Sequence, residues 1–463
     1  MNPIGESRNS NRLFKEETPV WYGPNGKVSR KWLSACKEER NQTQGLMEKI
    51  VSPLNLQEAC RRVVSNGGSS GSDKMETEEL KNWLGENLSK LQEELLTGIY
   101  VPQPVKGVRI PKPKGGYRQL GIPTVKDRLV QQAISQVLSV IYERTFSENS
   151  FGFRPSRNAH QALKMAARYV KEGQESLVDI DLAKFFDEVN HHRLLWLLGT
   201  RLGDKRVIRL IHQFLRTGIM EGGVTSVRIK GTPQGSPLSP LLSNIVLDEL
   251  DQELTRRGYS FVRYADDLQI FCNNERRGEQ IKESVTHFLE SRMKLKVNRE
   301  KSAVRQYWQS NFLGHSILKE GKVGLSKQSE ERLRTKLKSI TKRNRGNSLQ
   351  AILKELKLIL RGWLEYFKHA SMKSKLDKLD GWLRRKLKCY RLKQCKRTIG
   401  IVRLLRSLGV EEKLCWKTAL SGKGWWRLSN SPGISTGMTN KWFKEQGYYD
   451  LSENYKRLQC KLL

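Results

Sequence analysis

The middle of the chain contains short runs in which apolar and polar residues alternate, a pattern that predicts half-buried β-strands. In one run Val178 and Ile180 share a face that turns to a core, and Asp179 and Asp181 project from the opposite face. In another run, residues 261–271, apolar and β-branched residues stand on both sides of an acidic turn. This second run predicts a β-hairpin with two carboxylates at its tip.

Helical spacing of apolar residues alternates with these strands along the chain. It predicts helices over residues 127–144, 190–217 and 239–257, and a short hairpin is predicted over 224–229. A Gly-Gly pair marks the tip of an earlier hairpin that carries Lys and Arg. The alternation of α and β over residues 100–320, with acidic strands that are not consecutive, predicts an α+β fold.

The pattern changes to helix and charge after about residue 327. Residues 331–400 contain 22 Lys and Arg against 5 Asp and Glu. The whole chain of 463 residues has 84 Lys and Arg against 48 Asp and Glu, a net charge of +36. An excess of this size predicts a polyanionic partner, although by itself it suits a ribosomal or chromatin protein equally well.

The seven Cys and seven His residues show no zinc-ligand spacing. No run of 18 apolar residues occurs, so we expect no membrane partner. Unpaired thiols are typical of a reducing compartment, and we therefore expect a cytoplasmic protein associated with nucleic acid.

The adjacent Asp266 and Asp267 are the strongest candidates for chemistry. Two like charges among apolar residues are costly unless a cation neutralises them, and Mg²⁺ is a hard cation that carboxylates and phosphates hold. For such a pair taken alone, an exposed acidic turn is the alternative. Asp181 ends a strand 85 positions before Asp266 and supplies the further carboxylate that a two-metal phosphoryl-transfer site needs.

Three segments resemble motifs A, B and C of reverse transcriptases in sequence, order and spacing. They are VDIDLAKFFD at 178–187, GTPQGSPLSP at 231–240 and YADD at 264–267. More closely, the chain resembles the reverse transcriptase/maturase proteins encoded by group II introns. Four further segments carry this resemblance: RIPKPKGGYR at 109–118, DRLVQQ at 127–132, NSFGFRP at 149–155 and RGWLEYF at 361–367. It extends from about residue 46 to the C-terminus.

The resemblance implies a right-hand polymerase of the α+β class followed by helical segments. The expected domains are a polar extension over 1–45, fingers and palm over 46–326, a helical thumb or maturase domain X over 327–400, and a basic nucleic-acid-binding module over 401–463. Larger members of the family end in a zinc-dependent HNH nuclease. The Cys and His pattern predicts none here, as in compact group IIC-like members.

The resemblance also implies a role for each residue of a polymerase site. Asp181, Asp266 and Asp267 correspond to the catalytic carboxylates that bind two Mg²⁺ ions. The expected substrate-binding residues are Lys112 and Arg118 at the triphosphate, Phe186 as the gate that excludes a ribose 2′-hydroxyl, Gln234 at the nucleotide sugar, and Lys301 as proton donor to pyrophosphate.

Several of these residues also have ordinary structural interpretations. Phe186 fits a core aromatic at a helix start, with Phe185 packed inward, and the basic hairpin fits a solvated surface. Lys296 competes with Lys301 for the proton-donor role. In the helical segment, the aromatic residues at 363, 366 and 367 predict helix core rather than RNA stacking.

The activity implied is that of an RNA-directed DNA polymerase that extends a primer 3′-hydroxyl with dNTPs and also acts as a maturase. The implied partners are an RNA template, a DNA or RNA primer, group II intron RNA and target DNA. We expect Arg384, Arg385, Lys386 and Lys388 to bind RNA. Two alternatives are open from the sequence: a domesticated relative that serves phage defence or DNA repair, and a splicing factor without enzymatic activity.

Overall fold

The computed structural model of the chain describes residue 40 and residues 42–111, 115–221, 224–226 and 230–460. These residues form two compact units. The first runs to Ala166 and resumes over Gly173–Arg305, and the second comprises Ala167–Glu172 and the residues from Gln306 onward. Each unit has its own hydrophobic core.

Helices that begin in the first unit lie before and between its strands along the chain. They are α1 (Leu46–Ile50), α2 (Pro53–Asn66), α3 (Leu80–Thr97), α4 (Val125–Glu143), α5 (Ala159–Lys171), α6 (Phe185–Glu188), α7 (His191–Arg201), α8 (Lys205–Arg216), α9 (Ser239–Arg256) and α10 (Glu275–Ser291). The side chains of Thr124, Asn190 and Asn274 each accept a hydrogen bond from a first-turn backbone N–H and so cap α4, α7 and α10.

The strands that begin in the first unit form two four-stranded sheets. They are β1 (Val105–Pro111), β2 (Tyr117–Ile122), β3 (Ser176–Asp181), β4 (Ile219–Glu221), β5 (Val224–Ser226), β6 (Ser260–Tyr264), β7 (Asp267–Cys272) and β8 (Ala303–Gln306). One sheet has the order β2-β1-β4-β5 and the other β6-β7-β3-β8. The hairpin predicted around the acidic turn is confirmed as β6 and β7, and β7 also pairs antiparallel with β3.

Helix α9 is buried almost all round and brings charged side chains into the core. Buried charges are stable only when they are paired. Accordingly, Glu249 pairs with Arg193, and Asp251 pairs with Arg263. These pairs attach α9 to α7 and to β6, beside the acidic turn.

The structure adds detail to one predicted element and differs from another. The helical stretch predicted over 190–217 consists of two helices, because Leu202–Asp204 leaves the helical path and Asp204 caps α8 through its side chain. The hairpin predicted over 224–229 pairs in a different way: β5 pairs with β4, which precedes it, and residues 227–229 lie outside the described residues.

The second unit is mainly helical. Its elements are β9 (His315–Ile317), β10 (Val323–Leu325), α11 (Lys327–Ile340), α12 (Leu349–Phe367), α13 (Lys373–Gln394), α14 (Thr398–Ser407), α15 (Glu412–Ala419), α16 (Trp425–Leu428), α17 (Pro432–Gly437), α18 (Asn440–Glu445) and α19 (Leu451–Cys460). The change of unit at Gln306 precedes the predicted segment boundary after residue 326, and the division into four segments stays a prediction.

The aromatic residues of α12 pack largely as predicted. Phe367 is buried, and Trp363 is partly buried against the same core. Tyr366 is 37% exposed, and its hydroxyl donates to the Leu313 carbonyl at 3.0 Å. Among the described residues, no helix combines the length and apolar character needed to cross a membrane.

Candidate active site

The central observation is the register between β3 and β7. Asp181, the last residue of β3, lies directly opposite Asp267, the first residue of β7. Directly opposed residues of antiparallel strands have Cβ atoms about 4.5–5.5 Å apart, and like charges in that position repel each other. Asp266 lies in the turn next to Asp267, so the strand order brings three carboxylates to one edge of the sheet.

The pKa of Asp267 reports the crowding of negative charge. It is raised to about 6, first by burial and then by the charges of Asp266, Asp181 and Asp179, while Lys301 opposes the shift. Asp267 remains accessible to solvent. A cation bound at this position would offset the part of the pKa shift that the neighbouring carboxylates cause.

Asp179 and Asp181 share a face of β3 but have different surroundings. Asp179 accepts a hydrogen bond from Gln269 at 2.6 Å and pairs with Arg305 at 3.0 Å. Asp181 pairs with the exposed Lys301, whose Nζ lies 3.2 Å from its Oδ2. The charge of Asp179 is thus satisfied within the sheet, whereas that of Asp181 faces a partner that can move away.

The acidic turn has a left-handed residue that Arg263 holds in place. Ala265 has a φ of +57°, which is unfavourable for a residue with a Cβ. Arg263 Nη1 donates to the Ala265 carbonyl at 2.9 Å and to Asn244 Oδ1 at 3.0 Å. The same guanidinium donates to both carboxylate oxygens of Asp251, at 2.7 and 2.5 Å. A buried arginine that donates four hydrogen bonds thus connects α9 to the turn that carries Asp266.

The segment at 149–155 packs against the other side of this turn. Phe151 N donates to the Arg263 carbonyl and Arg263 N to the Asn149 carbonyl, both at 2.9 Å. Asn244 Nδ2 donates to the Gly152 carbonyl at 2.9 Å. A Cβ on Gly152 would lie 2.9 Å from Tyr264 C and 3.0 Å from Ala265 Cα, so only glycine allows this approach.

Backbone hydrogen bonds connect Phe186 to the loop that carries Gln234. Thr232 N donates to the Phe186 carbonyl at 2.6 Å, and Gly231 N donates to the Val189 carbonyl at 2.8 Å. Phe185 is buried, as predicted, while the ring of Phe186 is half-buried and meets it edge-on with centroids 5.5 Å apart. The more accessible of the two rings is therefore the one predicted to be the gate.

The hairpin of β1 and β2 is joined to the same loop. Gly121 N in β2 donates to the Gln234 carbonyl at 2.9 Å. Gly235, with a φ of +117°, would place a Cβ 2.8 Å from the Gly121 carbonyl oxygen. Arg118 lies on β2 and is exposed, whereas Lys112 lies outside the described residues.

The donor chemistry of the acidic edge fits a divalent cation. No three His, Cys, Asp or Glu side chains of the described residues enclose a metal position as they stand. Asp181, Asp266 and Asp267 nevertheless offer the oxygen ligands that hard cations prefer. Burial raises the pKa of Asp267, and the neighbouring carboxylates of Asp266, Asp181 and Asp179 raise it further, so negative charge is concentrated where the cation would bind.

The four basic residues predicted to bind RNA lie on α13 in unlike surroundings. Arg384 pairs with Asp450 at 3.1 Å. Burial, assisted by Arg384, lowers the pKa of Lys388. Arg385 donates to the Trp426 carbonyl at 2.8 Å and lies 3.9 Å from the centre of that ring, and Lys386 lies 5.5 Å from it.

The residues that fix the acidic turn were not assigned roles from the sequence. They are Gly152, Asn244, Asp251 and Arg263. One signal was present: Arg263 is a charged residue inside an apolar strand pattern, which calls for a buried partner. Nothing in the sequence identified Asp251 as that partner.

Two family models match the chain. "Reverse transcriptase (RNA-dependent DNA polymerase)" matches residues 110–317, and "Group II intron, maturase-specific domain" matches residues 330–406. Protein YkfC of Escherichia coli is 30% identical over 356 residues, which cover 68% of this chain and 92% of that protein. The chain belongs to the group II intron-encoded reverse transcriptase/maturase family.

Two further relatives are longer than the matched region. Group II intron-encoded protein LtrA of Lactococcus lactis is 36% identical over 206 residues, which cover 44% of this chain and 34% of LtrA. The putative COX1/OXI3 intron 1 protein of Saccharomyces cerevisiae is 33% identical over 218 residues, covering 47% of this chain and 26% of that protein.

This reverse transcriptase thus combines a polymerase domain with a maturase-specific domain. The matched polymerase region includes all three carboxylates and the residues predicted to bind the nucleotide. Reverse transcriptases as a family depend on divalent metal ions, and the maturase domain indicates intron RNA as a partner class.

Proposed function

We propose that this protein extends a primer 3′-hydroxyl with dNTPs on an RNA template, using Asp181, Asp266 and Asp267 at the edge of the β6-β7-β3-β8 sheet. The observation that carries the proposal is the register that sets Asp181 opposite Asp267 with Asp266 in the adjoining turn. These carboxylates would hold two Mg²⁺ ions. When bound, such ions activate the attacking hydroxyl and stabilise charge on the leaving pyrophosphate.

The chain's own residues prepare and position this site. Arg263 and Gly152 fix the turn, so that the carboxylates are placed before substrate binds. Lys301, which pairs with Asp181 in the structure, is the proposed proton donor to pyrophosphate once substrate draws it away. In this proposal Lys301 offsets the negative charge of Asp181 before substrate binds and contacts the pyrophosphate afterwards.

Nucleotide selection is proposed to depend on the coupled loop and hairpin. Phe186 would stand against the sugar and exclude a 2′-hydroxyl, with Gln234 beside it. The hydrogen bonds Thr232–Phe186 and Gly121–Gln234 support this, because they hold the gate, the loop and the hairpin as one assembly. Arg118 and Lys112 would balance the charge of the triphosphate.

The test is primer extension on a primed RNA template with Mg²⁺ and dNTPs. The Asp266→Asn variant keeps the shape of the side chain and removes its charge, and we expect extension to fall by at least about a hundredfold. Asp377→Asn, at an exposed carboxylate in the second unit, is the matched control. Wild-type-like synthesis by a folded Asp266→Asn protein would refute the proposal.

We also propose that the second unit binds group II intron RNA and supports splicing and mobility, with target DNA as a further partner. The basic excess over residues 331–400 supports this proposal. Affinity for intron RNA should fall steeply as salt rises, as counterion release requires. Equal affinity for intron RNA and for unrelated structured RNA would contradict it and would favour the defence or repair role.

A further inference from the structure

A basic cavity in the second unit lies outside the polymerase chemistry. It has a volume of about 540 Å³, and Lys338, Lys342, Arg343, Lys386, Lys393 and Trp426 line it. Within the part of the chain that the structure describes, no carboxylate belongs to its lining. Five positive side chains therefore converge on one concave surface, and the cavity is of the size that accepts a small organic ligand or part of a polymer.

Separate segments build this cavity and are tied together. Lys338 lies in the last turn of α11, and the loop after that helix contributes Lys342 and Arg343. The loop is anchored to α13 where the Asn347 carbonyl accepts hydrogen bonds from Tyr390 Oη at 2.7 Å and Gln394 Nε2 at 2.9 Å. The backbone segments that carry these positive side chains are thus fixed relative to each other by hydrogen bonds.

The aromatic wall is also fixed. Trp426 is 41% exposed, and the Arg385 guanidinium lies over its ring at 3.9 Å while donating to the Trp426 carbonyl at 2.8 Å. This contact stabilises the orientation of an accessible indole through a cation–π interaction. An accessible ring beside a cluster of cations is the arrangement with which proteins hold an unpaired base and its phosphate.

The cavity differs from places in the same unit where a basic side chain is paired with a carboxylate. Elsewhere, Arg334 pairs with Glu330, and Arg406 pairs with Glu412. Among the described residues, the lining of the cavity places five cations together without a carboxylate, so solvent ions or an anionic ligand would offset their mutual repulsion. A phosphate is the ligand whose charge and hydrogen-bond acceptors match this donor set.

We propose that this cavity binds an unpaired nucleotide of RNA, with its phosphate among Lys342, Arg343 and Lys393 and its base beside Trp426. The inference rests on the proposed RNA-binding function and names the part of the RNA that the second unit recognises. A free phosphate or mononucleotide shares the same chemistry. RNA is favoured because the cavity belongs to a segment with 22 Lys and Arg against 5 Asp and Glu, which suits a polymer longer than one nucleotide.

The experiment uses the full chain and measures Kd for three probes: a hairpin RNA with an open loop, a blunt duplex of the same stem, and inorganic phosphate. The cavity variant is Lys342→Ala/Arg343→Ala/Lys393→Ala. The control variant is Arg332→Ala/Lys354→Ala/Lys357→Ala, which removes the same charges from exposed positions that do not line the cavity. Thermal unfolding of each variant establishes that it is folded.

At the same salt, we expect the cavity variant to lose at least about tenfold more affinity for the hairpin than the control variant does. For the duplex, we expect the two variants to lose affinity equally. Trp426→Ala should weaken hairpin binding by about tenfold, and Trp426→Phe should retain most of it. Equal losses of hairpin affinity for the two triple variants would overturn the cavity proposal.

The remaining outcomes separate the cavity proposal from the broader proposal that the second unit binds RNA. Binding of inorganic phosphate to the wild type but not to the cavity variant, with equal hairpin affinity for the two proteins, would identify a free anion as the ligand and overturn the RNA assignment. Failure of the wild-type protein to bind either RNA would instead remove the proposed RNA-binding function itself.

Discussion

Replacing Gly152 with Ala should disable the acidic turn while leaving the protein folded. The added methyl would lie 2.9 Å from Tyr264 C and 3.0 Å from Ala265 Cα, and closer still to the Ala265 nitrogen. The backbone at Gly152 cannot move away freely, because Asn244 donates a hydrogen bond to the Gly152 carbonyl and Phe151 N donates one to the Arg263 carbonyl. The turn that carries Asp266 must therefore move.

The size of the movement sets the expected loss of activity. Ordinary contact begins at 3.4 Å, so the turn has to withdraw by about 0.5 Å from the Tyr264 carbon and by roughly 1 Å at the Ala265 nitrogen. A displacement of about 1 Å at a reacting centre costs on the order of a hundredfold in rate. Overpacking of this kind lowers the free energy of unfolding by about 1–3 kcal/mol, which leaves a domain of normal stability folded.

Single-turnover primer extension on a primed RNA template measures this loss, and thermal unfolding in the same buffer measures stability. Gly85→Ala in α3 is the control, because its Cβ meets no atom within 4 Å and alanine favours a helix. We expect about a hundredfold slower extension for Gly152→Ala and wild-type rates for Gly85→Ala. A folded Gly152→Ala protein that extends primers at more than half the wild-type rate would refute the reasoning.

Three further predictions follow from the buried charges and the gate. Asp251→Asn leaves Arg263 buried without its carboxylate, and the free energy of unfolding in urea should fall by about 3–5 kcal/mol, whereas an unchanged value would contradict the role of the pair. Burial, with the charge of Asp251 adding to it, raises the pKa of Asp248 to about 7. The folded state therefore binds this proton more tightly than the unfolded chain, and stability falls as pH rises from about 4 to about 7. Asp248→Asn should thus stabilise the protein by an amount that grows over this pH interval and is constant above it. Urea titrations of both proteins across pH measure this. A difference in the free energy of unfolding that does not change with pH would contradict the raised pKa. Phe186→Val should raise incorporation of ribonucleotides relative to deoxyribonucleotides by about tenfold or more, whereas Phe185→Leu should leave the ratio unchanged.

Much of the site was accessible from the sequence because its signals are local. The alternation in β3 and the apolar residues around the acidic turn predicted strands, and a β-strand fixes which side chains share a face. The helical stretch predicted over 190–217 is helical, but its spacing did not reveal the three-residue break at Leu202–Asp204 that divides it into two helices. The alternation also treated Asp179 and Asp181 alike, although Arg305 and Gln269 satisfy only the first.

The sequence by itself determined the family, the α+β class and the identity of the three carboxylates, because motif order and strand periodicity are written in neighbouring residues. Only the tertiary structure decided how those carboxylates are held. The approach of Gly152 to Ala265 and the hydrogen bond between Gly121 and Gln234 join residues far apart in the chain, and the pairing of Asp251 with Arg263 joins a helix to a strand. Such contacts arise from packing, which satisfies each buried charge and carbonyl with whatever partner the fold brings near, and no local pattern specifies that partner.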